Sequence, residues 1–130
     1  MTAGEPGRRP GECYDRRVTP QPLAPGATGF VTARSALTHI TAIRLDVVAH
    51  ESLPKMGPGR ADNGNLHLSE FDVRVFIPGA TSAAPVRLRR ATADFNQESW
   101  DIGRALDGNP TTAWGIHPEE GRSHYAVFEP

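Results

Sequence analysis

One cysteine, one lysine and no long apolar run: this 130-residue chain is defined first by what it has little of. A lone Cys13 excludes an internal disulfide and every multi-cysteine metal motif. It sits in a Pro/Gly/Arg-rich segment without a partner pattern, so it reads as an ordinary residue rather than a catalytic thiol. No segment approaches the ~18 consecutive apolar residues of a membrane span, so no membrane insertion is expected. Charge and proline occupy the N-terminal stretch where a secretory signal would be apolar, and no signal peptide is visible. The net charge of −1 gives no electrostatic case for nucleic acid. Arginine outnumbers lysine thirteen to one, Lys55 being the single lysine, which together with the Ala, Gly and Pro content reflects base composition more than a binding site.

Catalytic patterns are missing too. There is no Gly-x-Ser-x-Gly elbow, P-loop or dinucleotide fingerprint. The five histidines (39, 50, 67, 117 and 124) show no paired-ligand spacing, and His50-Glu51 lacks the second histidine a zinc hydrolase helix needs. The expectation is a protein that is not an enzyme, although a glycosidase carboxylate pair meets in space and spacing leaves it open.

What is present is an ordinary globular composition, 38% hydrophobic with 13 glycines, in a length that suits one domain. Residues 1–25 hold five of the twelve prolines and little apolar periodicity, and read as an irregular lead-in. A β-sandwich is expected over 26–130. Phe30–Arg34 is a plausible first strand, and Ile43, Leu45 and Val47 alternate with Arg44 and Asp46. From Leu66 to Ile77 the apolar phase changes near Ser69-Glu70, which predicts one strand with a bulge. Val86 and Leu88 alternate with Arg87 and Arg89, and the phase slips again before Ala93 and Phe95. Trp100, Ile102, Ala105 and Leu106 have rough helical spacing, ended by Gly108. His124–Glu129 has apolar residues on both faces and reads as a strand covered on both sides. Short strands, long turns and one helical turn give an all-β, antiparallel sandwich.

Two loops carry the chemistry. In Asp107-Gly108-Asn109-Pro110-Thr111-Thr112, the side chains of Asp107, Asn109 and Thr112 are hard oxygen donors on a tight turn, as a structural calcium requires. The competing reading is a turn that caps its own backbone. The long Glu51–Asn65 loop holds Arg60, Asp62, Asn63 and Asn65, whose hydrogen-bonding groups suit vicinal hydroxyls, and its glycines allow close backbone approach. These side chains serve equally well to hold the loop's own turns. Trp114 suits either a sugar ring or the core, with the core favoured. Arg87, Arg89 and Arg90 form a basic patch that suits an anionic polysaccharide, although a strand's solvent face explains Arg87 and Arg89 without any ligand.

Ile40–Leu45, Leu53-Pro54, the Gly57–Val73 run, Ala91–Gln97, the Ala105–Gly108 turn, Trp114–Pro118 and His124–Glu129 together resemble a module of large secreted planctomycete proteins that also carry planctomycete-type cytochrome c domains. That module is similar to the galactose-binding-like jelly roll of discoidin and coagulation-factor C-type domains. The pattern Ala105, Asp107, Gly108, Thr112 and Trp114 matches the stretch where those domains hold calcium. The resemblance therefore implies metal contacts from Ala105, Asp107, Asn109 and Thr112, with Glu129 as a candidate for the carboxylate that completes the shell. It also implies further strands beyond Pro130. The functional expectation is a carbohydrate-binding or attachment module of an extracellular, periplasmic or cell-surface protein, with glycan or neighbouring domains as partners. An interaction or spacer domain that binds no sugar is the second expectation, and a non-catalytic piece of an enzyme the third.

Overall fold

The structure is a computed structural model and describes residues 28–130. The lead-in expected at 1–25 lies outside the described residues. The chain divides into two units, Met1–Ile40 and Thr41–Pro130. In the first, residues 28–40 carry no regular structure and all are exposed. The strand expected at Phe30–Arg34 does not form: Phe30 and Val31 are 86% and 72% exposed, so the segment buries nothing that would offset the entropy of ordering it.

The second unit is all-β. Its described strands are β1 (Ile43–Val47), β2 (His67–Leu68), β3 (Val73–Val75), β4 (Ala84–Val86), β5 (Arg90–Ala93), β6 (Trp114–Gly115) and β7 (His124–Glu129), with 3-10 turns at Pro54–Met56 and Ile102–Leu106. β7 lies between β1 and β5 in an antiparallel three-stranded sheet, with Ile43 opposite Phe128 and Ala91 opposite the same residue. β2 pairs with β6 and β3 with β4, each as an antiparallel ribbon.

Alternation explains β1, whose Ile43, Leu45 and Val47 are half-buried while Arg44 and Asp46 are exposed. In β7 the two faces differ. His124, Ala126 and Phe128 are buried, but Tyr125 is exposed and carries the Arg44 guanidinium 4.0 Å above its ring. The expectation of a strand covered on both sides is thus met on one face only. Between Leu66 and Ile77 the phase change is a break rather than a bulge: β2 and β3 end up in different ribbons, because β2 pairs with β6 and β3 with β4. Phe71, at the break, donates its N–H to Ala105 O and stacks on Phe128 at 4.0 Å. The outer end of β3 is not core, since Val75, Phe76 and Ile77 are exposed. The short helix expected near Trp100–Leu106 is a single 3-10 segment whose N-cap Asp101 accepts from Gly103 N–H.

The core is Ile102, Ala105, Trp114, Ile116, Ala126 and Phe128, flanked by Leu45, Val47, Leu66, Leu68, Phe71, Leu88 and Phe95. Burying each large side chain contributes about 1.5–3 kcal/mol. His124 is a polar residue buried as fully as the core. Its Nδ1 lies 3.0 Å from Asp94 Oδ2 and its Nε2 2.8 Å from Glu119 O, so β7 is tied at its start to the ends of two loops.

Candidate functional site

The Asp107 turn brings together Asp107, Asn109 and Thr112. Asp107 Oδ1 accepts from Asn109 N–H at 2.8 Å, and Asp107 Oδ2 lies 2.6 Å from the Thr112 hydroxyl. Asn109 Oδ1 accepts from Thr111 N–H and from its hydroxyl. Thr112, then the Asn109 N–H, hold the Asp107 carboxyl below the ordinary carboxylate range. This hydrogen bonding is the self-capped turn. Ala105, through its carbonyl, receives Phe71 N–H at 2.9 Å, and Glu129 is engaged by Arg90, whose Nη2 donates to Oε1 at 2.9 Å.

A carboxylate that sequence reasoning passed over stands beside this turn. Glu70 Oε1 is sealed from solvent without a hydrogen-bond partner. Loss of solvent, and then the charges of Asp107 and Asp72, push Glu70 above the ordinary range, while the backbone N–H groups of Asn109 and Gly108 oppose the shift. Glu70, Asp72, Leu88, Leu106 and Gly108 share the walls of an open cleft of about 230 Å³. An orphaned carboxylate oxygen next to Asp107 is what a hard cation would relieve, and Ca²⁺ draws the rest of its shell from carbonyls and water. Among the described residues no group of three or more His, Cys, Asp or Glu side chains is arranged to hold a metal, so such a site would depend on backbone oxygens.

The long loop is built differently. Asn65 is buried, and its Oδ1 accepts from Leu66 N–H and from Ile116 N–H, both at 3.0 Å. Those two backbone donors fix the amide orientation, so Nδ2 donates to Gln97 Oε1 at 3.0 Å. Asn65 is therefore the post that holds the loop, not a hand that reaches for ligand. Gly59 packs under it so closely that a Cβ would sit 1.8 Å from Asn65 O. Asn63 Oδ1 caps Asn65 N–H, whereas Arg60 and Asp62 are exposed, with no hydrogen-bond or ion-pair partner among the described residues.

Trp114 is fully buried and its Nε1–H donates to Phe95 O at 2.9 Å, so it takes the core role and offers no face to a ligand. The accessible tryptophan is Trp100, half-buried, on which the exposed His67 ring stacks at 4.2 Å and 10°. Nearby His117 Nδ1 lies 2.7 Å from Glu120 Oε1. Burial pushes Glu120 up, but its own backbone, His117 and Lys55 outweigh that and hold it below the usual range.

No family model matches this chain, and no curated protein and no solved structure shows similarity to it.

Proposed function

We propose that residues 41–130 act as a non-catalytic attachment module of the galactose-binding-like jelly-roll kind, holding a larger secreted protein to glycan. The observation that carries this reading is the contrast within one loop: Arg60 and Asp62 stand exposed and unengaged on a backbone that Asn65 and Gly59 hold rigid. Presenting polar side chains on a pre-organised loop lowers the entropy lost on binding. A structural calcium at the Asp107 turn, with Glu70 supplying the missing carboxylate, accounts for the orphaned Glu70 oxygen. Calcium there joins the turn to the segment between β2 and β3 and does no chemistry.

Screening the purified chain on a glycan array, with Arg60→Ala as comparison, tests the attachment reading. Retention of at least one saccharide class by the wild type, lost in the variant, supports it; an empty array sinks it. The second reading, docking on neighbouring domains, draws on Val75, Phe76 and Ile77, which are 45%, 61% and 61% exposed in sequence-adjacent positions. It gains if the array is empty and Phe76→Ser abolishes self-association of the wild-type chain.

A further inference from the structure

Gln97 and His67 converge over Gly115, with Asn65 bonded to Gln97 and Trp100 stacked on His67. A Cβ on Gly115 would lie 2.4 Å from Gln97 Oε1 and 3.3 Å from His67 Cδ2, so the missing side chain is what lets the Gln97 amide and the His67 ring meet over β6. Gln97 Oε1 accepts from Asn65 Nδ2 at 3.0 Å and from His117 N–H at 3.2 Å. With the oxygen committed inward, Gln97 Nε2 must point elsewhere. It has no partner among the described residues and is not sealed from solvent. Asn65 Nδ2 also lies 3.4 Å from His67 Nε2; since the amide can only donate there, the His67 proton sits on Nδ1, which has no partner either. Trp100 Nε1–H is likewise unpartnered and open, and its ring is already stacked on His67.

An aromatic surface bordered by solvent-facing N–H donors that no protein group engages matches one ligand chemistry well. The C–H face of a pyranose rests on an aromatic ring while its hydroxyl oxygens accept from the rim, and neither carboxylate nor cation is needed. We infer that the His67–Trp100 stack, with Gln97 Nε2, is a contact site for one ring of a neutral saccharide, separate from the Arg60–Asn63 loop tip. This rests on the glycan reading above and adds a place and a class of ligand to it. Asn65 connects the two, since it holds the loop from below and orients Gln97 above Gly115.

The test is a ¹H–¹⁵N titration of the full chain with cellohexaose, xylohexaose and β-1,4-galactotetraose, read at the two indole N–H signals. Trp114, bonded to Phe95 O in the core, is the internal reference. The expected result is that at least one oligosaccharide moves the Trp100 indole and leaves Trp114 still. His67→Ala, which removes an exposed ring, then weakens binding about tenfold, the size of one lost stacking contact. Trp100→Ala serves as a second variant, and its Trp114 signal reports whether the fold persists. A saccharide that shifts only residues 60–63, or binds both variants as tightly as wild type, overturns the inference while leaving the attachment reading standing. If none of the sugars shifts any signal and the array is also empty, both fall together.

Discussion

The Gly57–Asn65 loop and the Asp107–Thr112 turn are written in the same residues, Gly, Pro, Asn and Asp, yet they are stabilised in opposite ways. The first is bound to the body of the domain: Asn65 is buried and serves backbone N–H groups on β6's flank, and Gly59 has no room for even a methyl group. The second closes on itself, exposed, with the side-chain hydrogen bonds of Asp107 and Asn109 falling between residues 107 and 112. Polar composition therefore says that a segment turns, but not whether its polar groups are consumed by the fold or held by local geometry. That difference decides what a substitution costs and where a ligand has anything left to contact.

The sharpest way to break the comparison is with glycine. Gly59→Ala drives a Cβ into Asn65 O and is expected to cost about 3 kcal/mol or more, or to prevent folding, by chemical denaturation. Gly108→Ala faces open space and meets only the penalty of its φ of 72°, about 1 kcal/mol. Equal costs would mean that the two loops are not anchored differently.

Asn65→Ala comes next. It strands the Leu66 and Ile116 N–H groups and frees Gln97, for a loss of about 2–3 kcal/mol, and hydrogen exchange at Ile116 should speed up markedly.

At the other loop the effects are smaller and differ in sign. Glu70→Gln removes a carboxylate whose folded state favours the proton, so in the presence of a chelator the variant should melt higher than wild type at neutral pH. Because Glu70 is raised in the folded protein, wild type gains stability as pH falls through its folded value, and the advantage of the variant shrinks there. Asp107→Ala should do the reverse. Its carboxyl is lowered, so its contribution is present above the unfolded value and is lost as pH falls through the folded one. Calcium should raise the wild-type Tm and leave both variants unmoved; a wild type indifferent to calcium returns the turn to pure self-capping. The smallest effect is expected from Arg90→Ala, since a pair this exposed on β5 and β7 is screened by water, and its melt should overlay that of wild type.

Legibility in the sequence followed the range of the interaction. β1 was readable because alternation is a property of five consecutive residues. The break between β2 and β3 was visible as a change of phase at Ser69-Glu70, but whether it was a bulge or a parting of strands depended on partners far along the chain. Phe30–Arg34 has strand-forming residues yet stays exposed and forms no strand. In the candidate site, Asp107, Asn109 and Thr112 come together as their spacing implies, whereas Asn65, expected among the ligand contacts, is buried with its amide bonded to the fold. Glu70, Gln97 and His67 leave no local signal, because each meets its neighbour far along the sequence: Asp107, Asn65 and Trp100 respectively. Trp100 was absorbed into an apparent helical face; the one local hint was Gly115, a glycine beside a tryptophan where a strand ordinarily prefers a side chain.

The order of the main sheet fixes a sequence of events in the life of the molecule. β1 and β5 are not hydrogen-bonded to one another; each pairs with β7, with Ile43 and Ala91 both meeting Phe128. During synthesis both outer strands must wait, edges open, until residues 124–129 have left the ribosome. Until then there is nothing for them to zip onto, and a chaperone or a second nascent chain has its best opportunity to bind.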